Sequence, residues 1–209
     1  MKTSIVNSDW LPEQVRRLDA GPYLSGGFEA KKTLQIAEIK KDYLVDVTSG
    51  YKGGIYNGPK FARVYHNHPE HSVDFLTTTG MMQADFSNLP KLKKKDAESK
   101  KLSFLKLQKG TSLISCSGTI GRMAYVGNGL DGVWSCQDMI KVRPNEEKIG
   151  SGYLYAFLNS KFGVPMVLSG TYGAVIKHIE PEHIQDMPVP RLSTLQEDEI
   201  DRLIKSLMN

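Results

Sequence analysis

Cysteine is scarce in this chain, with two among 209 residues. Cys116 and Cys136 lie far from CxxC spacing with no histidine beside either, so neither a metal nor a redox role is expected of them. They read as small buried residues in a reducing compartment. Long apolar runs are missing too: no stretch reaches the roughly 18 apolar residues of a membrane span. Met1 to Gln14 holds no apolar segment ahead of a small-residue cleavage site, and the expected location is the cytoplasm. No two prolines adjoin, which removes the Asn/Asp-Pro-Pro-aromatic tetrapeptide that adenine methyltransferases use to hold a flipped base. No Gly-x-Ser-x-Gly elbow is present, so a serine hydrolase is unsupported. Glu-x-Lys, the tail of a common nuclease signature, occurs at Glu29-Lys31, Glu38-Lys40, Glu98-Lys100 and Glu146-Lys148, but none has a Pro-Asp partner upstream on a strand. Histidines number five, and three of them, His66, His68 and His71, crowd around Pro69 at H-x-H-x-x-H spacing. Without a carboxylate at a strand end they read as a solvated loop, and neither metal nor cofactor is expected.

What is present is ordinary globular material: 40% apolar residues with both charge signs mixed, enough for one good core or for one domain plus an appendage. The net charge of +4 is too mild to identify a partner. Its distribution says more, because Lys91 to Lys101 gathers six lysines, among them Lys91, Lys93, Lys94 and Lys95, against only Asp96 and Glu98. Such a patch collects phosphates by counterion release, although a charge run is also what a plain solvated loop looks like.

Patterning predicts a short helix over Phe28–Ile36, then strands at Tyr43–Val47, Phe61–Tyr65 and Val73–Leu76, with a glycine-rich turn from Gly50 to Gly58. A polar loop spans Ser87–Lys101, and strands resume at Ser112–Ser115, Met123–Val126 and Met139–Val142. The clearest helix runs from Gly152 to Phe162, capped by Ser151 and stopped by Gly163 with Pro165. A strand is expected at Ala174–Ile176, a turn at Pro181, and an extended exit through Met187-Pro188-Val189-Pro190, since two prolines so close forbid helix. Last, Thr194 and Glu197 suggest a capping box, followed by Ile200, Leu203, Ile204 and Leu207 at i, i+3, i+4, i+7. A helix of barely two heptads is not stable alone in water; it docks on another helix, opens a longer one, or folds back on its own domain.

Five letters occur nearly twice: Ser117-Gly118-Thr119-Ile120-Gly121 and Ser169-Gly170-Thr171-Tyr172-Gly173, each between apolar, β-branched stretches. Glycines bracketing a threonine make a tight turn whose amides and hydroxyl can approach another molecule closely. Contact with phosphates and base edges of DNA is the functional reading; two ordinary hairpin turns are the bland one.

Taken with Gly152-Tyr153-Leu154-Tyr155-Ala156-Phe157-Leu158-Asn159-Ser160 and Ile184-Gln185-Asp186-Met187-Pro188-Val189-Pro190, these motifs make the second half of the chain resemble a target-recognition domain of the specificity (S) subunits of type I restriction-modification systems, or the related domain of fused methyltransferase-nucleases. The resemblance implies an α+β fold, with a twisted, mostly antiparallel sheet and a few helices, over residues 1–192. Residues 193–209 would be the start of a long coiled-coil spacer helix carrying Ile200, Leu203, Ile204 and Leu207. It further implies double-stranded DNA as ligand, a methyltransferase (modification) subunit and the restriction subunit as partners, self-association or a second recognition domain through the spacer, and no catalysis. Lys91, Lys93, Lys94, Lys95, Arg122 and Lys177 would then grip phosphates, with Ser117, Thr119, Thr171 and Tyr172 probing bases. Arg122 is the residue best suited to guanine, its planar fork matching O6 and N7 together. The rivals are a metal-dependent nuclease built on the histidine cluster and a pure protein-interaction module.

Overall fold

The structure, a computed structural model, describes residues 3, 5–13, 19–66, 68–173 and 177–208. In chain order its elements are α1 (Trp10–Glu13), α2 (Ala20–Leu24), α3 (Gly27–Ile36), β1 (Lys41–Tyr43), β2 (Ile55–Tyr56), β3 (Ser72–Leu76), β4 (Lys91–Lys93), α4 (Lys94–Ala97), β5 (Ser112–Ser115), β6 (Met123–Tyr125), β7 (Trp134–Ser135), β8 (Met139–Val142), α5 (Ser151–Leu158), α6 (Gly163–Ser169), β9 (Pro188–Pro190) and α7 (Thr194–Met208), with short 3-10 turns between. The α+β expectation holds, with the strands divided among small sheets: an antiparallel one in the order β2-β8-β5-β6, a three-stranded one in the order β4-β3-β7 with β3 and β7 parallel, and the pair β1-β9.

Strand alternation organises the interior. On β5, Leu113 and Ile114 point to opposite faces, and on β8 so do Met139 and Ile140. Ile114 and Ile140 join a core shared with α3, α5, α6 and β9. Leu113 and Met139 join a second core with Phe75, Leu76, Leu92, Leu105 and Trp134. The β2-β8-β5-β6 sheet is thus covered on both faces, and every residue of β5 and β8 is buried. In the β1-β9 pair, Lys41 lies opposite Pro190 and Tyr43 opposite Pro188; prolines that lack a donor N–H are tolerated on such an edge.

Several sequence expectations are corrected. Of Tyr43–Val47 only Tyr43 is strand; Leu44–Val47 is a 3-10 turn. In such a turn positions i and i+3 eclipse, so Leu44 and Val47 enter the core together. The Gly50–Gly58 turn contains β2, whose Ile55 is buried against Val142. Phe61–Tyr65 is not a strand: the segment makes a single bridge, Tyr65 to Leu92. Ser87–Lys101 is not one loop but holds β4 and α4, because Leu92 and Ala97 are buried in the second core.

The predicted helix over Gly152–Phe162 ends at Leu158, and Gly163 with Pro165 opens α6 instead of stopping its predecessor. Proline in a first turn forfeits no bond, and the Ser160 hydroxyl accepts the Phe162 and Gly163 amides, both at 3.1 Å. Ser151 lies inside α5, its hydroxyl 3.0 Å from that of Tyr125. At α7 the cap is Ser193, whose amide and hydroxyl both donate to Gln196 Oε1; Glu197 is drawn away to Arg191. The strand expected at Ala174–Ile176 lies outside the described residues. Among the described residues no helix is long and apolar enough to cross a membrane.

Candidate nucleic-acid interface

The first Gly-Thr turn joins β5 to β6 and is shaped by one buried hydroxyl. Ser115 Oγ donates to the Thr119 carbonyl at 2.6 Å and accepts the Arg122 amide at 3.0 Å. Gly121 has φ +82°, a left-handed conformation that disfavours any side chain. The turn leaves Thr119 and Arg122 exposed and Ser117 half-buried. Among the described residues Arg122 forms no ion pair.

The second turn follows helix α6, not a strand, so the two copies differ in context. They are nonetheless neighbours. His178 pairs with Tyr172 through both backbone bonds (2.9 and 2.8 Å), bridges to Ser117, and is followed by Ile179, whose amide reaches the Cys116 carbonyl at 3.1 Å. Thr171 is buried and its hydroxyl donates to the Leu168 carbonyl, so that hydroxyl holds the turn and is not offered to solvent. Tyr172 and Lys177 are exposed. The Tyr172 hydroxyl donates to Glu180 Oε1 at 3.0 Å; burial first and this carboxylate second push its pKa up. Glu180 Oε2 accepts from Asn57 at 2.7 Å, and Asn57 shares a groove with Lys52, Lys100 and Lys101.

Lys91 and Lys93 lie on β4, and Lys94 and Lys95 on α4, in the other sheet system. Lys91 pairs with Asp74 at 2.5 Å and Lys94 with Glu98 at 3.9 Å, whereas Lys93 and Lys95 are exposed without an ion pair among the described residues. Among the described residues no hydrogen bond or ion pair joins these lysines to either turn; the link is the segment 57–66. Its His66 amide donates to Lys91 O and its Val64 carbonyl accepts from Lys93 N, each at 3.0 Å. Its Arg63 reaches Gln137 Oε1 at 3.2 Å and Asp138 Oδ2 at 3.1 Å, and the Asp138 carbonyl accepts the Cys116 amide at the base of the first turn. Sequence reading missed Arg63, Asn57 and Lys52. No local signal marks them, since Arg63 meets its partners 74 and 75 positions away and Asn57 meets Glu180 at a separation of 123.

The α7 stripe divides. Ile200 and Ile204 pack on the first core, while Leu203 and Leu207 are exposed.

A family described as the type I restriction modification DNA specificity domain matches residues 56–203. The chain belongs to that family. No curated protein sequence is close enough to count as a relative. Among solved structures, the specificity domain is similar to the type I S subunit from M. genitalium (12% identity, TM-score 0.52, covering 81% of this chain and 38% of that one). It is also similar to the HsdS subunit from Thermoanaerobacter tengcongensis (12%, 0.57, 95% and 48%). A third match is a chain from a structure described as the basis of complex assembly and conformational transition of the type I R-M system (14%, 0.60, 95% and 49%). At these identities the likeness is one of fold, and the specificity domain spans at most about half the length of each. The family match includes both Gly-Thr turns, segment 57–66, the lysine strand and most of α7, and leaves α1 to α3 outside it.

Proposed function

We propose that this specificity domain reads a short stretch of double-stranded DNA, one half-site of a type I restriction-modification target, and presents it unaltered to a modification subunit. The observation that carries the reading is the convergence of the two Gly-Thr turns on His178, with Ser117, Thr119, Arg122, Tyr172 and Lys177 beside them. In this reading Arg122 and Thr119 meet base edges and Tyr172 a sugar or base. Lys91, Lys93, Lys94, Lys95 and Lys177, with Lys52, Lys100 and Lys101 along the groove, grip phosphates. Thr171 drops out of the contact set because its hydroxyl is spent on Leu168. Residues 1–192 act as the recognition unit, and the exposed Leu203 and Leu207 of α7 remain for a second helix, in a spacer or a partner subunit. The chemistry belongs to the partner in this proposal, and the cell compartment is the cytoplasm.

Selection of bound sequences from random duplexes, in the presence of the modification subunit, tests this directly. A recovered motif is expected, with Arg122→Ala relaxing preference at one position and Lys93→Ala/Lys95→Ala weakening all sequences alike. Neutralising about eight phosphates lowers affinity by roughly four powers of ten between 50 and 200 mM salt. Salt-independent binding, or no selected motif, would favour a protein-interaction module instead.

A further inference from the structure

The histidine-rich segment that the DNA reading leaves aside has a geometry its sequence spacing does not announce. Pro69–His71 is a 3-10 turn preceded by His68, closed by the His71 amide donating to the His68 carbonyl at 3.1 Å. His68 and His71, at the two ends of this turn, bring their ring centroids to 5.2 Å of each other. The intervening Glu70 turns its carboxylate to the same place: one ligand atom from each of His68, Glu70 and His71 lies within 4.8 Å of the others, and all three residues are exposed.

A tetrahedral zinc ion with bonds of about 2.0–2.1 Å needs ligand atoms roughly 3.4 Å apart and imidazole centroids about 5.2 Å apart. The ring spacing already meets that value, and the ligand atoms need to close by little more than about 1 Å, which side-chain rotation at exposed positions supplies. The backbone frame is fixed independently. Ser72 Oγ donates to the His68 carbonyl at 2.9 Å, and Ser72 begins β3, paired with Lys93 of β4. His66 lies further off, with centroids 6.4 Å from both other rings, and its Nδ1 accepts the His68 amide at 3.1 Å. That bond commits the neutral ring's proton to Nε2, so His66 holds the turn and does not ligate in this arrangement.

We infer that His68, Glu70 and His71 form a binding site for a divalent transition-metal ion of the zinc class, with three protein ligands and a fourth position left to water. The set of two imidazoles and one carboxylate suits zinc, cobalt and nickel over magnesium or calcium, which take oxygen ligands. The site stands apart from the Gly-Thr turns and rests on none of the DNA reading. An ion there would hold the Pro69–His71 turn closed at the entry to β3.

Cobalt(II) titration of the full chain, read by visible absorption and followed by zinc displacement, tests the inference. One saturable equivalent is expected, lost by at least tenfold in affinity in His68→Ala and in His71→Ala and reduced in Glu70→Gln, with His183→Ala unchanged. The replaced residues are exposed, so the variants should fold; circular dichroism checks this. Hydrogen exchange over residues 66–72 should slow when zinc is added to the wild-type chain and stay unchanged in His71→Ala. Absence of a saturable band, or a band that survives His68→Ala/His71→Ala, overturns the site whatever the outcome with DNA.

Discussion

Lys141 is fully buried on β8, where its ammonium donates to the carbonyls of Cys136 (2.8 Å) and Met139 (3.1 Å) and, among the described residues, pairs with no carboxylate. Burial pushes its pKa down from 10.5 to about 8, while burial pushes the nearby Cys116 thiol up from 9.0 to about 12. At neutral pH the lysine stays charged, and holding it so costs the fold stability relative to the unfolded chain. The unfolded chain holds more protons between about pH 8 and 10.5, so this group makes stability climb with pH, by at most about 1.4 kcal/mol per unit. Cys116 acts oppositely: its folded pKa is raised, so its contribution is complete below pH 9 and is lost as pH rises toward 12. Urea midpoints are expected to rise from pH 8 to 9 and then level. Lys141→Met should abolish the rise and leave a decline above pH 9. A wild-type midpoint flat from pH 8 to 9 would refute the assignment. Alternation along the strand expected at Met139–Val142 puts Lys141 on the face of Met139 but does not show that face to be covered, because Phe75 and Leu107 arrive from far along the chain. The first Gly-Thr turn is legible because its chemistry is local; the helical context of the second and the burial of Thr171 are not, since Gly163 and Pro165 read as a helix stop where α6 in fact begins.

At the scale of elements, α7 shows how a periodic stripe can be right about the helix and silent about its docking. Asp201 Oδ1 accepts the Gly152 amide at 2.7 Å, and a Cβ on Gly152 would come within 2.6 Å of the Asp201 carbonyl oxygen. Glycine at 152 is what lets α5 and α7 touch. Arg191 anchors the entry, donating to both Glu197 carboxylate oxygens at 2.9 and 2.8 Å and to Asp42 at 2.7 Å. Glu197 and Asp42 hold the guanidinium charged by raising its pKa. The face toward α5 takes Ile200 and Ile204; the other carries Leu203 and Leu207. Ile204→Ala is expected to cost about 1–2 kcal/mol in denaturant unfolding at unchanged m-value, below the full-burial range because Ile204 is only partly covered. Leu207→Ala should stay within about 0.5 kcal/mol. Equal losses at both positions would mean the two faces are covered alike. The i, i+3, i+4 spacing fixed the helix, but which residues meet α5 depends on an approach angle that only the packed partner sets.

For the whole molecule, two cores share one sheet, and the candidate interface straddles them: the turns belong to the first core's side and the lysine strand to the second's. Segment 57–66 runs between, and Arg63 is its tie to the turns through Gln137 and Asp138. The guanidinium also lies 5.5 Å over the Phe75 ring, in the second core. Arg63 is partly exposed, so its removal should leave global unfolding within about 1 kcal/mol of wild type. Its effect on binding should be larger than its effect on stability. If lysine strand and turns must hold one duplex together, Arg63→Ala lets them move separately and costs ordering that the wild-type fold supplies in advance. About a three- to tenfold loss of affinity is expected across all sequences, with the salt slope changed by at most about one phosphate contact and the selected base motif retained. Arg63→Lys should recover only part of the loss, because an ammonium cannot reproduce the planar fork shared between Gln137 and Asp138. Unchanged affinity in Arg63→Ala would separate the lysine strand from the turns and confine recognition to the surface around His178.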